Sequence, residues 1–210
     1  MNDENLNHEP LLIVVSSPSG AGKTSVCRRI LENNDSIQIS ISATTRKPRK
    51  NEVDGIDYNF ISREDFQNRI KNNEFLEYAE VFGNFYGTPK EWVLNSLSNK
   101  ENVILELDIQ GALQVKEAFP ETKTVFIIPP SYNDLSSRLE KRSQDTEEEI
   151  KKRLMEAKKE IFIGQKFDQI IVNDDFEKAL HDLKQFIFSG DTLSPERKGI
   201  TDDSLNLLLD

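Results

Sequence analysis

Leu11-Leu12-Ile13-Val14-Val15 is apolar without a break. A run of that length with no polar alternation suits a strand covered on both faces, as in a parallel sheet. Four more short runs repeat the pattern, at residues 37–41, 103–107, 124–128 and 169–172, each followed at some distance by helical spacing and capping signals. Ser131-x-x-Asp134 resembles a capping box, and Thr88-Pro89-Lys90-Glu91 adds a proline at the first helical position to another. Strands alternating with helices predict an α/β fold: a five-stranded parallel core sheet, doubly wound, with helices on both faces.

Two stretches break the alternation. Tyr58-Asn59-Phe60-Ile61, residues 75–82 and the turn Gly83-Asn84-Phe85-Tyr86-Gly87 predict a small antiparallel element, so residues 42–92 are expected to be an insertion between core strands. Residues 134–160 are rich in Lys, Arg and Glu and predict helices around a mobile loop, although a solvated helical face has the same composition. One domain is expected over residues 11–188, its core at 11–41, 93–133 and 161–188, with terminal extensions at 1–10 and 189–210, the latter a loosely attached tail.

Charge narrows the function. The chain has 210 residues, 36% of them apolar and 30% charged, with a formal net charge of −10. That balance argues against a general nucleic-acid or anionic-membrane binder, so any phosphate site must be locally basic. No apolar run approaches the roughly 20 residues of a membrane span, and the acidic residues 1–9 lack the basic start of a signal peptide, so a cytoplasmic protein is expected. The single cysteine, Cys27, reads as a small helix-face residue rather than a nucleophile, and the distant His8 and His181 make no metal cluster.

The strongest chemical signal follows the first strand: Ser17-Pro18-Ser19-Gly20-Ala21-Gly22-Lys23-Thr24, then the helix-compatible Ser25-Val26-Cys27-Arg28-Arg29-Ile30-Leu31. Strand, small-residue loop and helix are the context of a P-loop, whose backbone N–H groups wrap phosphate oxygens at a helix N-terminus. Lys23 would bridge the terminal phosphates of ATP, and the Thr24 hydroxyl would ligate Mg²⁺. Ser17 stands where the strict pattern has its first glycine. A second acidic signal, Glu106-Leu107-Asp108, ends the third core run, where ligands meet an open α/β sheet, and makes Asp108 a candidate partner of the metal.

Ser42-Ala43-Thr44-Thr45-Arg46-Lys47-Pro48-Arg49-Lys50 places four cations within five residues of an acidic protein, and a fork-shaped arginine pair suits a dianionic phosphate. These residues, with Glu52, Gly55, Tyr58, Glu77, Gly83-Asn84-Phe85-Tyr86-Gly87-Thr88, Glu106-Leu107-Asp108, Pro129-Pro130, Arg138, Arg142, Arg153 and Val172-Asn173-Asp174-Asp175, closely resemble guanylate kinase over roughly residues 11–188. The resemblance implies a P-loop kinase with a GMP-binding insertion at 42–92 and a helical lid at about 134–160. It implies that Arg46, Arg49, Tyr58 and Tyr86 hold the GMP phosphate, that Ser42, Glu77, Thr88 and Glu106 contact guanine, that Arg138, Arg142 and Arg153 meet the ATP phosphates, and that Asn173 lies near adenine.

Guanine presents a ring N–H beside an amino group, a pair one carboxylate can accept, and adenine does not. Glu106 stands where the family commonly has aspartate, and Lys141 and Ser143 replace glycines often found beside the central lid arginine. The expected reaction is MgATP plus GMP giving ADP plus GDP, with dGMP as a further acceptor, by in-line transfer without a covalent intermediate; Lys23, Arg46, Arg138, Arg142 and Arg153 are its expected catalytic cations. ATP and GMP are the expected partners, with no nucleic acid, membrane or obligate protein partner. A non-catalytic interaction module of the same family would lack the intact Gly20, Gly22, Lys23 and Thr24. A kinase for another monophosphate would lack Glu77 as a paired acceptor, and a signalling GTPase would need more than Asn99-Lys100-Glu101-Asn102.

Overall fold

A computed structural model describes residues 9–32, 34, 36–142 and 146–189, the side chains of Arg142 and Glu147 excepted. Its elements in chain order are β1 (Leu12–Ser16), α1 (Lys23–Leu31), β2 (Ile37–Ile39), β3 (Ala43–Thr44), β4 (Asn59–Phe60), α2 (Arg63–Lys71), β5 (Phe75–Val81) and β6 (Asn84–Pro89). Then come α3 (Lys90–Ser98), β7 (Asn102–Leu107), α4 (Ile109–Ala118), β8 (Lys123–Ile128), α5 (Tyr132–Arg142), α6 (Glu147–Gly164), β9 (Gln169–Val172) and α7 (Phe176–Ser189). His8, Ser143 and the tail beyond Ser189 lie outside the described residues. Among the described residues no helix is long and apolar enough to cross a membrane.

All five apolar runs become strands of one five-stranded parallel sheet, ordered β2-β7-β1-β8-β9. Every residue of β1 is buried, which requires cover on both faces and explains why its sequence carries no alternation. β2 ends at Ile39, two residues short of its apolar run, and the Ser40 N–H still reaches Ile104 O at 3.0 Å.

The chain divides into two compact units. One holds residues 9–12 and 36–105, the other 13–34 and 106–189. In the first, a second sheet runs β4-β3-β6-β5, with β5 and β6 antiparallel as expected. Its hairpin turns at Phe82 and Gly83, both at positive φ (49° and 77°), as a two-residue type I′ turn requires. Residues 84–87, expected in the turn, are therefore strand. Phe66 of α2 lies stacked between Phe75 at 4.4 Å and Phe85 at 5.3 Å, and is fully buried. Truncating it to alanine would cost about 3–5 kcal/mol and loosen the element.

The expected cap at Thr88 does not form. α3 is capped by Pro89 with no side-chain bond, and the Thr88 hydroxyl donates instead to Glu77 Oε1 at 2.6 Å. A buried hydroxyl beside a buried carboxylate gains more from that short bond than from an exposed helix end.

In the second unit, β1, β8 and β9 pair in parallel, and α5 packs on α6 through Leu135, Leu139, Leu154 and Ala157. Ser131 and Asp134 bond reciprocally at the start of α5, as their spacing predicts. Thr146 and Glu149 form a full capping box on α6, so the charged stretch is two helices.

Candidate active site

Within the second unit, β1 delivers the chain into the small-residue loop, and α1 begins at Lys23. Gly22 precedes it at φ 99°, and a Cβ there would stand 2.4 Å from Nδ2 of Asn173, so glycine is required twice over. Asn173 is buried and donates from Nδ2 to Ala21 O at 2.7 Å. Arg138 donates to the Asn173 carbonyl at 3.0 Å and to Ala21 O at 3.3 Å. Thus α5 and the end of β9 clamp the loop. No side chain among those described caps α1, which leaves its N-terminus without a side-chain acceptor. Gly20, Gly22, Arg138, Lys141, Asn173 and Phe176 line a cleft of about 490 Å³ here. Lys141 was singled out in the sequence only as a replacement for a lid glycine, and Phe176 was not singled out at all.

Lys23 Nζ donates to Leu107 O at 2.7 Å, and Thr24 Oγ1 donates to Glu106 Oε2 at 2.8 Å. Glu106, expected beside the base, is therefore bonded to the cradle. Asp108 caps α4 by accepting the Gly111 N–H on Oδ1 at 2.8 Å. Among the described residues no three His, Cys, Asp or Glu side chains cluster as a metal cage. The Ser17 hydroxyl donates to Pro18 O at 3.0 Å, Pro18 is buried, and Ser19 is exposed. Cys27 is buried, and that burial, with the Glu106 carboxylate adding and Lys23 opposing, pushes its thiol well above the ordinary range. It stays protonated and inert, a helix-face residue as its sequence context suggests.

Glu160 of α6 was not singled out from sequence. Burial, and then the Asp108 charge, push its carboxyl up to about 7 against the opposing pull of Lys23. Arg153 is half-buried on α6, where its charge adds to the Thr146 bonds that hold Glu149 low. The backbone of Arg142 ends α5; its side chain lies outside the described set.

The first unit holds the cationic cluster. Arg46 follows β3 and donates through Nη1 and Nη2 to both oxygens of Glu52, each at 2.9 Å. Its Nε reaches the Tyr86 hydroxyl at 3.2 Å, and its guanidinium carbon lies 5.4 Å from the Tyr58 ring centre and 5.8 Å from that of Phe60. Tyr58 meets Tyr86 edge-on at 5.9 Å. Burial works against the Arg46 charge, but the bonds to Glu52 and Tyr86 outweigh it and raise its pKa. Burial likewise favours neutral Glu52, yet Arg46 and the Arg49 N–H hold its carboxyl below the usual range. Arg49 is exposed, and Ser42 is half-buried with its carbonyl accepting the Asn59 N–H at 2.9 Å. Glu77 and Thr88, on neighbouring strands of this sheet, are both buried. The unit thus gathers Arg46, Tyr58 and Tyr86 in one cluster and Glu77 with Thr88 in another.

Residues 9–190 match the family model described as guanylate kinase. The chain is 48% identical over 190 residues to a guanylate kinase of Carboxydothermus hydrogenoformans, covering 90% of this chain and 93% of that one. It is 45% identical over 210 residues to one of Caulobacter vibrioides, covering 100% and 98%. The crystal structure of a guanylate kinase from Anaplasma phagocytophilum superposes with a TM-score of 0.75 at 32% identity, over 96% of both chains.

Proposed function

The chain belongs to the guanylate kinase family of phosphotransferases, and from that premise we propose that it phosphorylates GMP, and dGMP, with ATP by direct in-line transfer. An oxygen of the acceptor's phosphate bonds to the γ-phosphorus as the bond from that phosphorus to the β,γ-bridging oxygen breaks. GDP and ADP result, with no bond to the protein. The observation that carries this reading is the cradle: a loop closed by Gly22 where no Cβ fits, Lys23 at its end, and a helix N-terminus without a side-chain cap. Such a site stabilises charge that spreads over phosphoryl oxygens as the bond is transferred.

Each residue then has a task. The N–H groups of residues 17–24 hold the donor phosphates, and Lys23 exchanges the Leu107 carbonyl for phosphate oxygens. Asn173 lies against adenine, and Arg138, Arg142 and Arg153 meet the transferred group. Thr24 and Asp108 suit a Mg²⁺ ion that keeps waters and phosphate oxygens as most of its ligands, because such ions need only one or two protein groups. When bound with ATP, the ion would neutralise charge on the β- and γ-phosphates. Glu106 orients the Thr24 hydroxyl through Oε2, and Oε1, with no hydrogen bond among the described residues, is the oxygen for the base contact implied by the resemblance. Arg46, Arg49, Tyr58 and Tyr86 hold the acceptor's phosphate, while Ser42, Glu77 and Thr88 read guanine. The insertion at 42–92 is thereby the acceptor element, the helices at about 134–160 are the lid, and the cytoplasm is the expected compartment.

The test is an ADP-release assay with MgATP and, in turn, GMP, dGMP, AMP, CMP, UMP and dTMP. Strong preference for GMP is expected, and equal rates with AMP would overturn the assignment.

A further inference from the structure

We propose that Glu52 is the positioning residue of the acceptor's phosphate grip: it holds Arg46 and Arg49 so that Arg49 presents its whole guanidinium while Arg46 offers a single N–H. The proposal deepens the acceptor reading above and rests on it.

A guanidinium has five N–H groups in a fixed fork. In Arg46, Nε–H goes to Tyr86, the two on Nη1 go to Lys47 O at 2.8 Å and Glu52 Oε2 at 2.9 Å, and one on Nη2 goes to Glu52 Oε1 at 2.9 Å. One N–H of Nη2 is left over among the described contacts. Arg46 therefore cannot clamp a phosphate bidentately without surrendering Tyr86 or Glu52. Arg49 differs: its guanidinium side chain is 67% exposed, and its nearest carboxylate contact is 3.7 Å, to the same Glu52.

Glu52 acts on the backbone as well. Its Oε2 accepts the Arg49 N–H at 2.7 Å, and its own N–H donates to Arg49 O at 3.0 Å. One carboxylate thus closes the turn that carries Arg49 and fixes the fork of Arg46. The Arg46 and Glu52 side chains are only 16% and 15% exposed, so this pair is not of the weak, solvent-separated kind. A charge-assisted bidentate pair of this burial fixes geometry as well as charge. The opposite role, an internal anion that competes with phosphate, would require the arriving phosphate to replace the Arg46 bonds and the Arg49 N–H together. That would open the turn on which Arg49 sits.

The two roles give effects of opposite sign. Titrate GMP and guanosine into wild type, Glu52→Gln and Glu52→Asp, and measure kcat and KM for both substrates. Glu52→Gln is expected to weaken GMP by about tenfold or more, because its amide can accept only one of the two Arg46 bonds. Guanosine, which has no phosphate, should bind as before; KM for GMP should rise with KM for ATP unchanged, and kcat should hold within about threefold. Glu52→Asp restores charge but not reach, and should recover part of the loss. Unchanged or tighter GMP binding in Glu52→Gln overturns the proposal in favour of a competitor. Equal loss of GMP and guanosine overturns it in favour of a purely structural role. Failure of the acceptor reading is visible separately, as wild-type protein that does not phosphorylate GMP.

Discussion

The two units hold their cations in different ways. In the second unit, which we propose as the donor cradle, Lys23 and Arg138 are held by carbonyl oxygens of Leu107, Ala21 and Asn173. In the first unit, our proposed acceptor element, Arg46 is held by the carboxylate of Glu52. A carbonyl is a neutral dipole that leaves the cation its full charge, ready to move to a polyanion. A carboxylate neutralises its partner and fixes it. The first arrangement suits charge that builds up during reaction, the second a ground-state anion recognised by shape. Charge should therefore govern turnover in one unit and geometry govern selection in the other.

The largest effect should come from the cradle. Lys23→Ala is expected to lower kcat by about 10³-fold or more, roughly 4 kcal/mol of barrier. Its unfolding midpoint should remain within about 2 °C of wild type, because only one bond to a carbonyl is lost. Arg138→Ala should follow with about 10²-fold in kcat, since it removes both the clamp on the loop and a charge proposed to meet the transferred group. Single-turnover transfer at saturating substrates checks both; a loss in Arg138→Ala seen only in KM for GMP would break the contrast between the units.

Effects in the acceptor element should be smaller and selective. Glu77→Gln should lower kcat/KM for GMP by about 1–3 kcal/mol, because an acceptor becomes a donor facing guanine's own donors, and should leave AMP unaffected. An unchanged ratio of GMP to AMP would show that Glu77 does not read the base.

The smallest effect separates the units by pH. Glu160 titrates near 7 in the folded cradle against an ordinary 4.5, so the native state keeps a proton that the unfolded chain loses between those values. Stability contributed by this group therefore falls as pH rises through that window. Glu160→Gln should be more stable than wild type at pH 8, by a margin that shrinks as pH falls, and the two should converge below pH 4.5, as urea unfolding would report. Glu52 has the opposite sign: its lowered pKa adds stability above the unfolded value that is lost as acid protonates it.

The same contrast explains what could be read in sequence. The cradle's own residues are contiguous from Ser17 to Thr24, because in the proposed reading one loop's backbone would do the binding, and they stand out. Their supports do not: Leu107, Arg138 and Asn173 lie 84, 117 and 152 residues from the groups they touch, with no local pattern linking them. β1, β7 and β8 were legible because burial on both faces leaves largely unbroken apolar runs. β3 and β4, two residues each, are too short to show a period. Thr88 carried a sound capping signal that a buried bond to Glu77 overrode, and Glu52, quoted only within the family pattern, gave no local sign that it joins two arginines.

The central claim is that donor charge and acceptor geometry are separate, and calorimetric titration of GMP into Lys23→Ala tests it most directly. The account predicts wild-type affinity for GMP, within about twofold, in a protein whose turnover has collapsed. A loss of GMP affinity comparable to the loss of turnover would contradict it.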